Sequence, residues 1–403
     1  MPDFHQTGVI TTLHRYPPTN LERLECELTK HSRSNPVALL LPCLFQELEG
    51  EALPRIVEEL KQIPYLKQVV VSLGQATEAQ FRRAREFFAA LPHETVIVWN
   101  DGPRIAAVYD LLGKNRMRGG EPGKGRDVWI AMGYILADGK ARVIASHGCD
   151  ILTYQRELLA RLCYPVVDPN MGYEYAKAYY VRVADRLYGR VTRLLVYPLI
   201  RTLIGLVGRH PLLLFLDSFR YPLAGESALT TSLARAIRIP GDSGLEIGLL
   251  GEVSRNCALQ RICEVDVCDR YDHAHRPLDP DKIGAGLSQM ATDIAKSLFR
   301  TLMSEGIELS DAFFRAVIPV YMRLAQISNK KYRDDAVLNG LVFDHHAERS
   351  AVEMFSCAIG QAAKAVIEDP SGTSPLPSWN RVADAVPDIF DVLKSAVQKD
   401  AKA

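Results

Sequence analysis

The amino-acid sequence predicts an α/β protein with a mainly parallel sheet, followed by a helical carboxyl-terminal region. Four short apolar runs alternate with helix-like segments, which is typical of a parallel sheet covered on both faces. From about residue 285 the apolar residues recur only at helical spacing. The predicted strands are Val37–Leu41, Val69–Val71, Thr95–Trp99 and Arg142–Ser146.

The segments between and after these strands support the same architecture. Leu53, Ile56, Val57 and Leu60 lie on one face of an amphipathic helix. The other predicted elements are helices at Glu78–Ala90 and Lys124–Ala137, a helical stripe from Ile283 to Leu302, a loop at Asp369–Pro377 and one closing helix. Ligands of such a sheet bind beyond the carboxyl ends of the strands, so a site is expected in loops 42–50, 72–77, 100–125 and 147–154.

The overall charge gives no reason to expect nucleic acid or an anionic membrane as a partner. The 403 residues include 48 basic and 48 acidic side chains, which give a net charge of zero. The most apolar stretch, Leu194–Leu216, is interrupted by Arg201, Arg209 and His210 and is too polar for a membrane span. We expect that stretch to pack in the core.

The cysteines and the first residues indicate a cytoplasmic protein. None of the eight cysteines forms a CxxC pair, and Met1–Ile10 lacks the apolar segment of a signal peptide. Such cysteines are expected to be reduced and mostly buried thiols. The sequence also lacks the GxSxG, HExxH and GxGxxG motifs, which argues against the commonest hydrolases and dehydrogenases.

Asp150 is the first candidate for chemistry because it follows the predicted strand that ends at Ser146. A carboxylate there can hold a divalent cation against a diphosphate, since hard cations prefer oxygen ligands. Asp is equally common at helix N-caps, and a helix-like sequence follows from Tyr154. The spacing alone leaves both interpretations open.

Two glycine-containing motifs suit anionic ligands. Glu121–Arg126 opens a helix, where Lys124 adds positive charge near the N-terminus; a surface turn with a solvated lysine is the alternative. Tyr188–Arg193 combines a glycine, two arginines and a threonine, which suit a carboxylate or phosphate group. Its arginines could instead pair with Asp185 or with solvent.

Histidines and glutamates supply the remaining candidates. His273 and His275 could reach one metal ion from an extended loop, although such pairs are more often structural or solvated.

Glu226 and Glu246 each lie near a glycine in apolar surroundings. A buried glutamate needs a partner, which a sugar hydroxyl or a nearby arginine would provide.

Taken in chain order, several motifs resemble the glucosyl-3-phosphoglycerate synthases, close relatives of the mannosyl-3-phosphoglycerate and glucosylglycerate synthases. The resemblance covers roughly residues 37–280. It implies a GT-A (Rossmann-like) nucleotide-sugar-binding fold, a homodimer, and retaining transfer of glucose from an NDP-glucose to the 2-hydroxyl of 3-phosphoglycerate with a divalent cation (Mg, Mn or Co). The motifs are Leu41–Glu47, Gly123–Gly125, Ile144–Ile151, Gly189–Leu194 with Pro198 and Leu199, Pro222–Glu226, Gly244–Leu249 and His273–Leu278.

The resemblance also implies a role for each matching residue and a division of the chain. The nucleotide-sugar site would comprise Pro42, Leu44, Glu47, Ser72, Gly123, Lys124, Asp150 and Glu226. The acceptor would contact Gly189, Arg190, Val191, Thr192 and His275, the metal would bind Asp150 and His273, and Asp150, Thr192 and Glu226 would be catalytic. The regions would be an N-terminal extension (1–35), a nucleotide-sugar-binding half (36–155), an acceptor-binding half (156–282) and a helical C-terminal region (283–403).

Two departures from the family pattern bear on this prediction. Phe45 and Gln46 replace the usual Asn and Glu of the first-strand motif, so contacts to the base can differ. Gly148 stands where the family's DxD motif has an Asp. Either the diphosphate, His273 and waters complete the metal shell, or the substitution has disabled the enzyme, or the glycine provides a positive φ before Asp150. The alternatives are therefore a related synthase with another donor or acceptor, and a nucleotide-sugar-binding protein with impaired turnover.

Overall fold

The computed structural model describes residues 6, 8–117, 119–240, 244–273 and 286–402. Within these residues the protein is built on one eight-stranded sheet with helices around it, which confirms the predicted α/β class. The strands are β1 (Thr11–Leu13), β2 (Val37–Leu44), β3 (Leu66–Gly74), β4 (Glu94–Trp99), β5 (Val143–Ser146), β6 (Tyr175–Tyr179), β7 (Ser227–Thr230) and β8 (Ile262–Asp266).

The sheet is parallel except for one strand. Its order is β1-β8-β6-β7-β5-β2-β3-β4, and β7 runs antiparallel to both of its neighbours, β5 and β6. The carboxyl ends of the parallel strands therefore meet at one edge. Because β7 begins at that same edge, the loop that precedes it is brought there as well.

Alternate residues of the central strands are buried on opposite faces of the sheet. In β2, Val37, Leu39 and Leu41 belong to one apolar cluster, whereas Ala38 and Leu40 belong to the other. This two-residue alternation with burial on both sides explains why the strand is a continuous apolar run in the sequence. All eight side chains of β2 are consequently apolar.

Helices cover both faces, and the chain after residue 286 is helical, as the sequence predicts. None of the described helices is both long and apolar enough to cross a membrane. The helices are α1 (Leu21–His31), α2 (Ala52–Leu60), α3 (Glu78–Phe88), α4 (Pro103–Lys114), α5 (Lys124–Asp138), α6 (Arg156–Val167), α7 (Tyr197–Val207), α8 (Pro211–Asp217), α9 (Thr231–Ala236), α10 (Leu245–Asn256), α11 (Leu287–Ser304), α12 (Asp311–Leu338), α13 (His345–Glu368), α14 (Trp379–Ala385) and α15 (Ile389–Asp400).

The first predicted strand is longer than its apolar run suggests, because β2 continues through Pro42 to Leu44. A proline lacks the N–H that a central strand must donate, so it is expected to end a strand. Here β2 pairs with β5 only as far as Leu40, and beyond that point only with β3. Pro42 therefore lies where one side of the strand needs no partner.

Two other elements differ from the sequence prediction. The N-terminal region adds β1, which pairs with β8 at the edge of the sheet; the domain boundary at residue 35 stays a prediction. The single closing helix is instead two helices, α14 and α15. Pro387 lies in the short connection between them, where a proline cannot continue the preceding helix.

Helix α5, which begins at the predicted site, is held from behind by the C-terminal region. The rings of Trp129 and Trp379 stack with centroids 4.4 Å apart, and Nε1 of Trp379 donates to the carbonyl of Trp129 at 3.1 Å. Gly133 faces the same indole, and a Cβ added there would lie 2.0 Å from a ring carbon of Trp379. The close contact between α5 and α14 therefore depends on a glycine at this position.

We expect Gly133→Ala to lower the free energy of unfolding by about 1–3 kcal/mol, because the indole ring must move out of a packed core. The matched control is Gly360→Ala, in the interior of α13, where an added Cβ meets no atom within 4 Å. That change should raise the free energy by about 0.5–1 kcal/mol. Urea unfolding measures both, and equal effects of the two variants would contradict the proposed contact.

Candidate active site

A cavity of about 1020 Å³ opens at the carboxyl ends of the strands. Every described residue that the family resemblance assigns to a site lines it, and His275 lies outside the described residues. The structure thus brings together segments that are far apart in the chain, while the ligand of each residue stays a prediction. The residues concerned are Pro42, Leu44, Glu47, Ser72, Gly123, Lys124, Asp150, Gly189, Arg190, Val191, Thr192, Glu226 and His273.

One end of the cavity is formed by the tips of β2 and β3. Ser72, near the end of β3, is buried, and its hydroxyl donates to the carbonyl of Asp127 at 2.7 Å and accepts from the Asn100 amide at 3.0 Å. The hydroxyl is therefore engaged within the protein. Its clearest effect is to fix the first turn of α5 against β3.

The glycine-rich turn leads into α5 beside the cavity, and Lys124 is the first residue of that helix. Its Nζ lies 2.9 Å from a carboxylate oxygen of Glu246, which lies in the first turn of α10. Lys124 is thus ion-paired, and the partner of Glu246 is a lysine where the sequence suggested an arginine or a sugar. The pair joins two helix N-termini at one wall of the cavity, an arrangement that favours a diphosphate.

Asp150 and His273 are brought to adjoining positions. Ile151 forms an isolated antiparallel bridge with His273, and the N–H of Leu152 donates to the carbonyl of Asp272 at 2.9 Å. Helix α6 begins only at Arg156, so the interpretation of Asp150 as its N-cap is wrong. Two side chains that can ligate a cation therefore line the cavity from neighbouring segments.

The donor set fits a cation that takes most of its shell from a substrate. Among the described residues, no cluster of three or more His, Cys, Asp or Glu side chains could hold a metal by itself. Mg-type sites commonly use only one or two protein carboxylates and complete the shell with phosphate and water oxygens. Asp150 with His273 is compatible with such a site and not with a closed protein cage.

Gly148 does not have a positive φ, so the explanation of this glycine as a backbone device is wrong. A Cβ added at Gly148 would lie 2.6 Å from Oδ1 of Asp150. Any larger residue would therefore require the Asp150 carboxylate to move. The glycine leaves room for that carboxylate beside the loop backbone.

Glu226, just before β7, is held by two tyrosines. The hydroxyls of Tyr180 and Tyr271 donate to its two carboxylate oxygens at 2.8 and 2.7 Å, and the two rings stack with centroids 3.7 Å apart. Burial raises the pKa of both tyrosines well above the ordinary value, so they stay protonated donors. Glu226 is consequently a rigid acceptor in the cavity wall.

A buried lysine supports the same loop. Nζ of Lys177, in β6, donates to the carbonyl of Ala224 at 2.7 Å, and burial lowers the pKa of Lys177 to about 8. Sequence reasoning missed Lys177, Tyr180 and Tyr271. The signal for Lys177 and Tyr180 was a short apolar run that contains a lysine and ends in Tyr179 and Tyr180, whereas Tyr271 lies next to the His273 motif; neither pattern identifies a partner.

Gly189–Thr192 form another part of the cavity wall. Gly189 has φ +72°, and the following residues begin a π-helix at Val191–Val196, a form that is frequent at functional sites. The Thr192 hydroxyl is buried and makes no hydrogen bond to any described residue. Asp185, the predicted alternative partner of the arginines, binds Arg186 instead.

Two acidic side chains, Asp101 after β4 and Asp127 in the first turn of α5, lie close enough to repel each other. Burial, followed by repulsion from Asp101, raises the pKa of Asp127 to about 7 from its ordinary value of 3.8. The folded protein therefore holds a proton that the unfolded chain loses. The resulting stability is complete below pH 3.8 and is lost as the pH rises through about 7.

We expect Asp127→Asn to remove this dependence, because the amide does not titrate. Between pH 4 and pH 7.5 the variant should gain about 1–3 kcal/mol in free energy of unfolding relative to the wild type. Urea unfolding at several pH values measures the difference, with Asp110→Asn on the exposed face of α4 as the control. Parallel curves for Asp127→Asn and the wild type would show that Asp127 ionises normally in the folded protein.

Solved structures share this fold at low sequence identity. Crystal structures of glucosyl-3-phosphoglycerate synthase from Mycobacterium tuberculosis include a complex with phosphoglyceric acid, at 21% identity and a TM-score of 0.52, covering 74% of this chain and 89% of that one. A complex with Mn²⁺, UDP and glucosyl-3-phosphoglycerate has 20% identity, the same TM-score and 74% and 88% coverage.

Two curated relatives match almost the whole chain, whereas no family model matches it. The chain is 46% identical over 400 residues to the glucosyl-3-phosphoglycerate synthase of Persephonella marina, with 99% of both chains covered. It is 38% identical to that of Methanococcoides burtonii, over 99% of this chain and 98% of the relative. At this identity and coverage, the chain belongs to the glucosyl-3-phosphoglycerate synthase family.

Proposed function

We propose that this chain is a retaining glycosyltransferase that moves glucose from an NDP-glucose to the 2-hydroxyl of 3-phosphoglycerate. The two relatives that match the whole chain carry the name glucosyl-3-phosphoglycerate synthase. The observation in the structure that supports the proposal most is that the start of α5, Asp150 and Gly189–Thr192 all line the same cavity. A donor and an acceptor can therefore meet there.

On the donor side, Lys124 and the N-terminus of α5 bind the diphosphate, and the tips of β2 and β3 receive the nucleoside. Asp150 and His273 hold the divalent cation, which neutralises negative charge on the leaving diphosphate. Nζ of Lys124 donates one of its three N–H groups to Glu246, so the ammonium group is already oriented before the substrate arrives. The carboxylates of Asp150 and Glu226 line the part of the cavity where the diphosphate meets the hexose.

Glu226 binds the hydroxyl groups of the hexose. Its carboxylate is fixed by Tyr180 and Tyr271, so little orientational freedom is lost when a sugar binds. A carboxylate oxygen has lone pairs for more than one hydrogen bond, and a sugar hydroxyl can use those that the tyrosines leave. The loop is held in turn by Lys177 through Ala224.

On the acceptor side, Arg190 and Thr192 bind the phosphate of 3-phosphoglycerate. A buried hydroxyl that meets no described partner is costly unless a ligand pairs with it, and Thr192 is in that position. Arg190 adds a charge-assisted hydrogen bond of the kind phosphate favours. The positive φ of Gly189 lets the chain turn into the π-helix at this point.

Assembly and location are further parts of the proposal. The homodimer rests on the family resemblance. A cytoplasmic location is consistent with the eight cysteines, all of which are free thiols.

A product assay tests the function directly. UDP- and GDP-linked glucose and mannose are each combined with 3-phosphoglycerate or glycerate in the presence of Mg, Mn or Co, and the products are identified by NMR. We expect glucosyl-3-phosphoglycerate with the anomeric configuration of the donor retained. Binding of the nucleotide sugar without transfer in any combination would contradict the proposal and favour a binding protein.

The effect of Gly148 is tested by Gly148→Asp, with Gly148→Asn as a control of equal size and no charge. We expect the donor KM to carry most of the effect, because the Asp150 carboxylate must shift to make room for an added Cβ. Turnover should change by less than about tenfold, because one protein carboxylate is sufficient for a Mg-type site. Steady-state kinetics with saturating metal measures both constants. A rise in turnover by orders of magnitude in the Asp variant alone would mean that the natural glycine impairs the enzyme.

A further inference from the structure

A carboxylate from the C-terminal helices lies against the predicted acceptor site. Glu348, in the first turn of α13, is only 4% exposed. Its Oε1 accepts from Nε of Arg190 at 2.7 Å, and its Oε2 accepts from Nη1 of Arg193 at 3.1 Å. Glu348 is not among the described residues that line the cavity. It therefore acts on the cavity only through the arginines.

Arg193 fixes the backbone that leads into the motif. Its guanidinium donates to the carbonyls of Leu187 and Tyr188 at 3.1 and 2.9 Å and lies over the ring of Tyr332 in α12, 4.9 Å from the centroid. Since Glu348 binds the same guanidinium, Arg193 connects α13 to the backbone just before Gly189. Loss of the carboxylate would leave Arg193 buried without its counterion.

Arg190 is oriented by the same carboxylate. Its bond to Glu348 uses Nε, and its terminal nitrogens donate to no other described residue, while the side chain lines the cavity. Two guanidinium groups share the single carboxylate of Glu348, which can neutralise only one of their two positive charges. The group therefore still attracts an anion, and the free edge of Arg190 is the part available to it.

We propose that Glu348 is a positioning residue for the acceptor: it holds Arg190 and Arg193 so that Arg190 meets the acceptor's phosphate. This inference rests on the proposed function. It gives the helical C-terminal region a part in acceptor recognition, although none of the motifs that resemble the family lies in that region. Glu348 itself does not touch the substrate.

The test is a double-mutant cycle on Glu348→Gln and Arg190→Ala, read from the acceptor and donor KM values. The amide keeps the shape of Glu348 but turns an N–H group toward a guanidinium. We expect each single variant to raise the KM for 3-phosphoglycerate about tenfold or more and to leave the donor KM within about twofold. The double variant should raise the acceptor KM by less than the product of the two single effects, because both changes remove the contact between Glu348 and Arg190.

The matched control is Glu252→Gln. Glu252, in α10, is another buried carboxylate between two arginines, Arg238 and Arg255, at 2.6 and 2.9 Å. Its loss should destabilise the protein without changing the acceptor KM. A comparable rise in acceptor KM for Glu252→Gln would overturn the inference, because it would attribute the effect to general loss of stability.

The results for Arg190→Ala and Glu348→Gln distinguish a failure of the positioning role from a failure of the proposed function. If Arg190→Ala raises the acceptor KM and Glu348→Gln does not, the positioning role fails and the proposed function stands. If Arg190→Ala leaves the acceptor KM unchanged while the wild type makes product, the acceptor assignment fails. Should Glu348→Gln not fold, Glu348→Asp replaces it: an intermediate rise in the acceptor KM is expected, and an unchanged value would overturn the inference.

Discussion

The burial of the sheet on both faces is the constraint from which the site follows. Strands β2, β3 and β5 have apolar side chains on both faces along most of their length, and the polar side chains with which β3 and β5 line the cavity, Ser72 and Ser146, lie near the carboxyl ends. All but one of the strands are parallel, which collects these ends at one edge. The reversed β7 adds the loop that carries Glu226 to that edge. One large cavity with its chemistry at the rim is the result.

The charged groups around the cavity are arranged as partners before any substrate is present. Lys124 is paired with Glu246, Glu226 with two tyrosines, and Arg190 with Glu348. Each contact lowers the cost of burying a charge and fixes the direction in which the group points. The Thr192 hydroxyl, by contrast, meets no partner among the described residues.

The sequence predicts the parts of this protein that have local patterns. The four predicted strands and the helices between them depend on nearby residues and are present in the structure, and the described site residues of the motifs line one cavity. It does not reveal contacts between distant segments: the pairing of β1 with β8, the tyrosines on Glu226, or Glu348 on Arg190. Asp150 illustrates the limit, because the local sequence fits a helix N-cap as well as a metal ligand. Only the start of α6 at Arg156 rules out the N-cap.

The stacking of Trp129 on Trp379 has a consequence for how the protein comes to be functional during synthesis. The strands of the sheet are complete at Asp266, but the ring that covers α5 and the carboxylate that holds Arg190 belong to helices made later. A nascent chain that has emerged only as far as Leu278 would carry every motif that resembles the family but would have neither of these supports. The residues expected to bind the donor and those expected to bind the acceptor would therefore reach their final positions only late in translation. A fragment that ends after the sheet would be a poor starting point for engineering.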